Sequence, residues 1–549
     1  MRGELAWRDR LWLALAVLAV AISWIAQLGD RPLFNPDEGR YAEIPREMLV
    51  SGDWVVPHID ALVYIEKPPL QYWASALGYE LFGLSDWSAR LYAGLMGLAT
   101  VLLTGWLAQR LWGAVAGYRA AIVCASSMLL MLMSHQLTLD MGLTFFTTLT
   151  LAAFCVAQDA RTPEPRRSRW MLLAWAGAAG AFLTKGLVAG ALPVLVLIIY
   201  TAWQRDARPW RRLALLPGVA LFALLVLPWL IAIEHRVPQF FQFFFVREHL
   251  QRYLTRIEAR YQPWWFFLEV LAIGCLPWLL PTLRALLNDW RATRARGEFD
   301  VRRLLWVWCL TVLVFFSASD SKLIPYILPL FPALALLIGS APEEPLRADL
   351  RATGLGLIAV GVLVALGAAL LSHLVHDPSR VAYFLPTRRP LLGVALLCVV
   401  GGSAAWRARG DALALAALIG ATSYGCFLCI LWAARLLAPL YSGAPLIAQL
   451  PAPLRAVATV YSVRTYDQSL TFYLRRTVTL VEYRGELDFG LTLAPQREIA
   501  TLAQFEARWR SGAQALAVMS SATYAQLVRD RVPMVLRAAE PHELIVSRD

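Results

Sequence analysis

The sequence predicts a mainly α-helical, polytopic membrane protein that ends in a small soluble α/β domain. Of its 549 residues, 58% are hydrophobic and only 16% are charged, whereas a soluble protein carries about a quarter charged residues. The apolar residues form runs of about 17–25, which is the length that an α-helix needs to cross the hydrocarbon layer of a bilayer. After about residue 438 the long apolar runs give way to short ones.

About thirteen segments have the length and composition of a membrane-spanning helix. The first follows several arginines and resembles a signal peptide, but no small-x-small cleavage site comes after it, so we interpret it as an uncleaved anchor. The predicted spans are 11–28, 87–109, 117–134, 141–158, 170–184, 186–203, 213–234, 264–287, 303–318, 323–340, 353–373, 390–406 and 412–437.

The basic loops predict the orientation of these helices. Together with the basic N-terminus, four loops on one face are strongly basic: Arg161–Arg169, Arg205–Arg212, Arg291–Arg303 and Arg407–Arg409. Lys and Arg are enriched in short cytoplasmic loops, so this face is predicted to be cytoplasmic. The external face then receives residues 29–86, the turns near Asp140, Lys185 and Asp320, residues 235–263, and the C-terminal tail.

The formal net charge of +12 follows largely from these loops and gives no reason to expect a nucleic-acid partner. The 7 cysteines lie in or beside apolar runs, so we expect buried, reduced thiols. No inverted repeat is detectable, which disfavours a secondary transporter.

The tail after residue 438 has the pattern of a separate soluble domain. Apolar runs of strand length alternate with amphipathic stretches, as is typical of a small α/β fold. The strand candidates are Val457–Val463, Thr477–Glu482 and Ala515–Met519, and the helix candidates are Leu502–Trp509 and Tyr524–Val528. The predicted domains are a membrane domain, 1–437, with external loops 29–86 and 235–263, and a soluble domain, 438–549.

The first external loop contains a dense cluster of charges. Residues 35–49 read NPDEGRYAEIPREML, so Asp37 and Glu38 follow soon after the first span. Pro36 favours a turn before these acids, and the next residues suit a short amphipathic helix at the interface. Such a cluster is usually a solvated loop, but Arg40 and Tyr41 beside the acids favour a polar site at the level of the lipid headgroups.

A second motif in this loop, YIEKPPLQYW at residues 64–73, combines a Glu–Lys pair, two prolines and flanking aromatics. The prolines stiffen the chain. The motif is equally consistent with a turn that leads into an interfacial helix and with a site in which Lys67 binds phosphate and Glu66 acts as a polar or metal ligand.

Further ionisable residues lie at the outer ends of spans, where they cost several kcal/mol unless they are paired or hydrated. These are Asp140, Lys185, Asp320 and Lys322, although the two lysines could simply snorkel to the headgroups. The segment 235–263 adds Arg247, Glu248, His249, Arg252 and Arg256, which an interfacial helix with a solvated basic face would also explain. If all these groups meet on the external face, the cations would hold the phosphate of a lipid donor and a carboxylate would orient or deprotonate the attacking oxygen.

The strings NPDEGRYAEIPREM (35–48) and EKPPLQYW (66–73) resemble those of the lipid A aminoarabinose transferases. These are GT-C membrane glycosyltransferases related to the protein O-mannosyltransferases, and the resemblance covers essentially the whole chain. It implies a GT-C fold in a bacterial inner membrane, with the site and the C-terminal domain in the periplasm. It also implies transfer of 4-amino-4-deoxy-L-arabinose from undecaprenyl phosphate to a lipid A phosphate, which lowers negative charge and weakens binding of polymyxin.

The resemblance also implies roles for individual residues in an inverting displacement with undecaprenyl phosphate as the leaving group. Asp37, Glu38 and Asp140 become the catalytic candidates. Substrate and phosphate contacts are expected from Arg40, Tyr41, Tyr64, Lys67, Lys185 and Arg247, with Asp140 and Lys185 matched by context alone. No cofactor is required, although a divalent metal held by Glu66 and His249 is compatible with the residues. The expected partners of the monomeric chain are the donor lipid, lipid A and the bilayer.

Two alternatives remain open. A transferase that glycosylates a protein hydroxyl or another glycolipid would use the same donor class, and a hydroxyl acceptor would make Asp37 a true general base. A lipid-linked sugar flippase would instead place charges and broken helices near the bilayer midplane, which the clustering of acids in one external loop disfavours.

Overall fold

The computed structural model describes residues 7–251, 261–291, 299–456, 459–512 and 514–548, without the side chains of 7–16, 249–250, 289–291 and 379. Among the described residues up to 456, the chain forms helices and one short hairpin. The α-helices are Trp7–Ala26, Asp37–Ser51, Leu70–Phe82, Asp86–Trp112, Ala114–Ser126, Met128–Ser134, Asp140–Gln158, Glu164–Lys185, Val188–Gln204, Arg208–Arg211, Leu215–Arg236, Phe266–Gly274, Leu279–Arg291, Val301–Ser317, Phe331–Gly339, Glu343–Ala369, Leu371–Leu374, Pro378–Phe384, Arg388–Arg407, Ala412–Leu436, Ala438–Tyr441, Ala444–Ala448 and Ala452–Arg455. A π-helix, Gln242–Gln251, and the 3₁₀ segments Gln27–Gly29, Ile324–Leu330 and Leu385–Thr387 complete this part.

The multi-pass α-helical architecture predicted from hydropathy is confirmed. Among the described residues, 6 helices are individually long and apolar enough to cross a membrane, and 2 bent pairs raise the number to 8. A helix overlaps each predicted span, but several are short or broken, so the number thirteen stays a prediction. The six are Asp86–Trp112, Asp140–Gln158, Leu215–Arg236, Glu343–Ala369, Arg380–Arg407 and Ala412–Leu436.

Two predicted spans that we expected to be continuous are bent. The span predicted at 117–134 bends by 65° after Ser126, and the span predicted at 264–287 bends by 116° around Pro277. Pro277 has no N–H to continue a helix. Hydrogen bonds connect the two breaks. Met128 N donates to the Leu276 carbonyl at 3.1 Å, and the Trp278 indole donates to the Ser126 hydroxyl at 3.1 Å.

The predicted C-terminal α/β domain is also confirmed. Its sheet has the order β5-β4-β3-β6-β8-β7, with β3 to β6 parallel and β7 and β8 antiparallel. The strands are β3 (Thr459–Val463), β4 (Thr479–Val481), β5 (Glu498–Ile499), β6 (Ala515–Met519), β7 (Val535–Ala539) and β8 (Leu544–Ser547), and the helices are Gln468–Leu474, Asp488–Leu493, Leu502–Ser511 and Ser521–Arg529, with 3₁₀ turns Gly485–Leu487 and Pro495–Arg497. The strands β5, β7 and β8 were not predicted, because β5 and β8 are short and β7 contains Arg537 at an irregular register. Residues 457–458 of the first predicted strand lie outside the described residues.

The soluble domain packs on the first external loop, which also contains the hairpin of β1 (His58–Ile59) and β2 (Leu62–Val63). A Cβ at Gly39 would lie 2.3 Å from the backbone nitrogen of Ser469, so only glycine permits this approach of the two backbones. The Asn35 side chain accepts from Ser469 N at 2.9 Å, and the Tyr473 hydroxyl accepts from Leu33 N at 2.7 Å. The motif that begins at Asn35 is therefore covered by the C-terminal domain.

The β1–β2 turn makes this packing sensitive to pH. Asp60, which is buried, accepts a hydrogen bond from Val478 N at 2.6 Å, yet burial raises the pKa of Asp60 to about 7. The carboxyl group of Asp60 therefore binds its proton more tightly in the native state than in the unfolded state. The stability that the protonated carboxyl group contributes is lost as pH rises from about 4 through 7. Asp60→Asn keeps an accepting oxygen and tolerates the positive φ of 55°. We expect this variant to melt a few degrees above the wild type at pH 8 and to show little difference at pH 4, in a Tm series on the purified protein. An unchanged Tm difference across that series would contradict the assignment.

Candidate functional site

A cavity of about 520 Å³ lies between the first external loop, several helix ends and the soluble domain. The described residues of its lining are rich in charge, with six carboxylates (Asp37, Glu66, Asp140, Glu248, Glu486 and Asp488) and four cations (Arg40, Lys67, Lys185 and Arg247). Aromatic side chains wall it, among them Tyr41, Phe243, Tyr326 and Phe489. Eight residues with an assigned role in the predicted site thus share one cavity, namely Asp37, Arg40, Tyr41, Glu66, Lys67, Asp140, Lys185 and Arg247, and Glu248, named in the sequence analysis without a role, joins them.

Asp37 and Arg40 lie in the first turn of the helix Asp37–Ser51, where an acid is favoured by the helix dipole. Arg40 Nη1 donates to Asp37 Oδ1 at 2.9 Å, and its other terminal nitrogen forms an ion pair with Glu486 of the soluble domain. The Arg40 side chain is 6% exposed and that of Asp37 is 38% exposed. The buried Arg40 side chain therefore orients the more exposed carboxylate of Asp37.

Aromatic and acidic neighbours stabilise the positive charge of Arg40. Its guanidinium lies 5.8 Å from the ring centroid of Tyr41 and 5.9 Å from that of Tyr64. Burial alone would lower the pKa of Arg40, but Tyr64 and Glu486 keep that pKa above its usual value. Tyr64 itself is buried and is not among the lining residues, so it supports Arg40 instead of contacting the cavity.

A second ion pair forms where two membrane helices end. Asp140 is the first residue of the helix Asp140–Gln158, and Lys185 is the last residue of the helix Glu164–Lys185. Their charges suit these helix ends, and Lys185 Nζ forms an ion pair with Asp140 Oδ1. Lys185 Nζ also lies 4.8 Å from the ring centroid of Tyr326. The pair places a cation and a carboxylate together in the cavity wall.

The third cationic element comes from the EKPP motif and the π-helix. Lys67 Nζ donates to its neighbour's carbonyl, Glu66 O, at 3.0 Å and lies 3.4 Å from Glu248 Oε2. Arg247 stands over the Phe243 ring at 5.3 Å from its centroid. Both external loops therefore contribute cations to the same cavity, as the sequence analysis expected.

Glu38 is the one of the three catalytic candidates that the structure does not place in the cavity lining. Its carboxylate is fully buried and is not part of the cavity lining. It accepts from Arg90 Nε at 2.7 Å, from Arg90 Nη2 at 3.0 Å and from Arg31 Nη2 at 3.2 Å. The backbone nitrogens of Phe34 and Leu137 donate to it as well. Burial alone would raise the pKa of Glu38, but the two guanidinium groups hold it well below its usual range.

The reason lies in helix geometry, since consecutive residues point about 100° apart around a helix. Asp37 therefore points to the cavity while Glu38 points into the protein. Glu38 ties the first external loop to Arg90 of the helix Asp86–Trp112 and to the chain just before Asp140. We interpret it as a structural anchor of the site.

Some other candidates are not brought to the cavity. Asp320 and Lys322 are absent from its lining, and Lys322 Nζ instead donates to the carbonyls of Gln262 at 2.9 Å and Ser319 at 2.5 Å. The side chain of His249 and residues Arg252 and Arg256 lie outside the described residues. A metal held by Glu66 and His249 therefore stays a prediction.

Several lining residues had no assigned role in the predicted site, among them the acids Glu248, Glu486 and Asp488 and the aromatic Tyr326. Glu248 was considered part of a solvated helix face, and Glu486 lies in a short polar turn whose sequence carries no recognisable signal. Lysine usage, in contrast, did carry a signal that could have ranked the cations. The chain has only three lysines among its 51 basic residues, and two of them, Lys67 and Lys185, line the cavity.

Comparisons with known proteins give a consistent picture. Residues 10–244 match the family model "Dolichyl-phosphate-mannose-protein mannosyltransferase", and residues 446–548 match "Aminoarabinose transferase C-terminal domain". The undecaprenyl phosphate-alpha-4-amino-4-deoxy-L-arabinose arabinosyl transferase of Pseudomonas aeruginosa is 35% identical over 509 residues, covering 87% of this chain and 86% of the relative. A relative of the same name from Erwinia tasmaniensis is 35% identical over 421 residues, covering 74% and 75%.

The fold is similar to that of a solved structure over nearly its full length. The crystal structure of ArnT from Cupriavidus metallidurans bound to undecaprenyl phosphate superposes with a TM-score of 0.89 at 33% identity, covering 98% of each chain.

Proposed function

This chain belongs to the undecaprenyl phosphate-4-amino-4-deoxy-L-arabinose arabinosyl transferase family of GT-C membrane glycosyltransferases, and we propose that it transfers this amino sugar from undecaprenyl phosphate to a phosphate of lipid A. The observation that carries the proposal is the charge pattern of the cavity, which holds four cations and a surplus of carboxylates. The cations suit the phosphates of donor and acceptor. The surplus carboxylates suit the ammonium group of the sugar.

The reaction needs little proton transfer. One acceptor phosphate oxygen forms a bond to the anomeric carbon while the bond from that carbon to the undecaprenyl phosphate oxygen breaks, with inversion. A phosphate monoester has a second pKa of about 6, so the acceptor is already largely ionised at neutral pH. Charge therefore develops chiefly on the leaving phosphate, and fixed cations near it stabilise the transition state.

The contacts of each residue indicate its role in the reaction. Arg40 holds Asp37 through Oδ1, which leaves Oδ2 to accept a hydrogen bond from the sugar or to position the acceptor. Lys67 is paired with Glu248 and Lys185 with Asp140, and both lysines stabilise the leaving phosphate. The apolar helices keep the polyprenyl chain in the bilayer while the phosphate enters the cavity.

We propose that the protein lies in a bacterial inner membrane with the cavity and the soluble domain in the periplasm. Residues from three of the predicted basic loops, Arg161, Arg208, Arg212 and Arg302, share the lining of a different cavity. Their grouping away from the substrate cavity fits the predicted cytoplasmic face.

The direct test is mass spectrometry of lipid A from a Gram-negative strain that makes the donor lipid but lacks its own transferase. Expression of this chain should add the mass of aminoarabinose to lipid A. Unmodified lipid A, despite donor and a normal membrane level of the protein, would refute the proposed acceptor. The matched mannosyltransferase family model, residues 10–244, makes a protein acceptor the second candidate, which glycoproteomics of the same strain would detect.

A kinetic prediction concerns the choice of lysine in the cavity. Lys67→Met removes a compact charge beside the leaving phosphate and should lower kcat by about 10²-fold. Lys67→Arg keeps the charge, but the larger planar guanidinium cannot occupy the same place between Glu66 and Glu248, so it should restore only part of the rate.

These rates would be measured with purified protein, donor lipid and lipid A, with Glu80→Gln on the exposed side of the helix Leu70–Phe82 as the control variant. Full activity of Lys67→Met would exclude Lys67 from stabilising the leaving group.

A further inference from the structure

A second cluster of ionisable side chains lies in the soluble domain, away from the substrate cavity. Asp467 precedes the helix Gln468–Leu474, and His542 and Glu543 lie in the turn between β7 and β8. One ligand atom from each of these three residues lies within 4.8 Å of the other two. None of the three lines the substrate cavity.

The cluster has buried polar atoms that lack hydrogen-bond partners. Asp467 and Glu543 are each 5% exposed. Asp467 Oδ1 accepts from the backbone nitrogens of Ser469 and Leu470 at 2.8 Å and 3.0 Å, and Glu543 Oε1 accepts from the Thr465 hydroxyl at 2.5 Å. Asp467 Oδ2, Glu543 Oε2 and both ring nitrogens of His542 make no hydrogen bond to any of the described residues.

Nearby groups do not satisfy these atoms. In the described part of the chain, no Lys or Arg forms an ion pair with Asp467 or Glu543. Arg380 acts electrostatically on His542 but is paired with Asp377 at 3.3 Å. The Pro439 carbonyl lies near the His542 ring without forming a well-aligned hydrogen bond. Four unpartnered polar atoms at one place are costly, and together they have the composition of a ligand set.

We propose that Asp467, His542 and Glu543 bind a divalent transition-metal ion, with Zn²⁺ the best match. One imidazole nitrogen and two carboxylate oxygens suit zinc, whereas Ca²⁺ and Mg²⁺ prefer six or more oxygens. Ligands on tetrahedral zinc are roughly 3.4 Å apart, so a small contraction of the cluster brings the three residues into place. Water supplies the fourth ligand.

The position of the cluster gives this ion a structural role. Asp467 caps the helix whose Ser469 N donates to Asn35, two residues before Asp37. The Ser469 hydroxyl accepts from Gly443 N, just after the last long membrane helix, at 2.9 Å. A Cβ at Gly443 would lie 3.0 Å from Asp467 Oδ2, so the backbone covers the cluster closely. The ion would therefore fasten the β7–β8 turn to the start of the helix Gln468–Leu474, which in turn contacts the first external loop through Asn35 and the joining segment through Gly443.

The test uses the full chain in detergent, with Glu66→Gln as the background so that metal in the substrate cavity does not contribute. After chelation, addition of Zn²⁺ and desalting, elemental analysis should find about one zinc per chain. His542→Gln or Glu543→Gln in this background should lose that equivalent. Asp530→Asn, an exposed acid of the same domain, should retain it.

Thermal unfolding supplies an independent readout that needs no variant of the cluster. An ion that binds only the native state raises Tm with concentration. In the Glu66→Gln protein, chelation should lower Tm and Zn²⁺ should restore it. Equal zinc binding with and without His542, or a Tm that does not respond to chelation and zinc, would overturn the proposal.

Discussion

Asp37→Asn is expected to lower aminoarabinose transfer by about 10²–10³-fold while leaving the fold intact. Asparagine keeps the shape of the side chain and one accepting oxygen, but it loses the charge that Arg40 orients at 2.9 Å. The Asp37 side chain is 38% exposed, and its buried partner Arg40 keeps both the ion pair with Glu486 and an accepting oxygen from the asparagine. The fall should appear mainly in kcat, since the interaction strengthens as the sugar bond breaks.

The measurement is a steady-state assay with purified protein and donor lipid, together with a Tm for each variant. Glu80→Gln, which removes an exposed acid from the same loop, serves as the control and should match the wild type in both. An Asp37→Asn enzyme with near-normal kcat would remove Asp37 from the site. If instead kcat rises steeply with pH in the wild type but not in Asp37→Asn, Asp37 acts as a general base. A hydroxyl acceptor would require such a base.

Glu38→Gln, one residue further on, should have the opposite profile, with a large loss of stability. The substitution leaves Arg31 and Arg90 buried without their counter-charge, and breaking a buried ion pair in this way costs about 3–5 kcal/mol. Glu38 is fully buried and accepts hydrogen bonds from both arginines and from two backbone nitrogens. We therefore expect a clearly lower Tm and a reduced membrane level, with activity lost in proportion to the folded protein.

Adding Arg90→Met to Glu38→Gln should recover part of the stability, because it removes one of the two unpaired cations. Thermal unfolding in detergent and quantification of folded protein by size-exclusion chromatography would check this. Asp37→Asn provides the matched comparison on the same helix. A Glu38→Gln protein that has the wild-type Tm but no activity would support a catalytic role for Glu38.

The contrast between Asp37 and Glu38 shows where reasoning from the sequence stopped. The motif placed two adjacent acids after the first span, and nothing in their order distinguished them. The phase of the helix Asp37–Ser51, fixed by the packing of Gly39 against Ser469, turns one acid to the cavity and the other into the protein. Helix phase depends on contacts with residues more than 400 positions away, which local sequence does not encode.

The sequence by itself determined the membrane class, the approximate helix positions, the soluble α/β domain and the grouping of eight charged or aromatic site residues. These features follow from local properties, because apolar run length sets the spans, loop charge sets the sides, and two dense motifs mark the site. Only the tertiary structure decided the bends at Ser126 and Pro277, the entry of Glu486 and Asp488 into the cavity, and the meeting of Asp467 with His542 and Glu543. Each of these features depends on chain segments that are distant in sequence and are brought together by packing. The local sequence is compatible with several arrangements of such segments, and the long-range contacts select one of them.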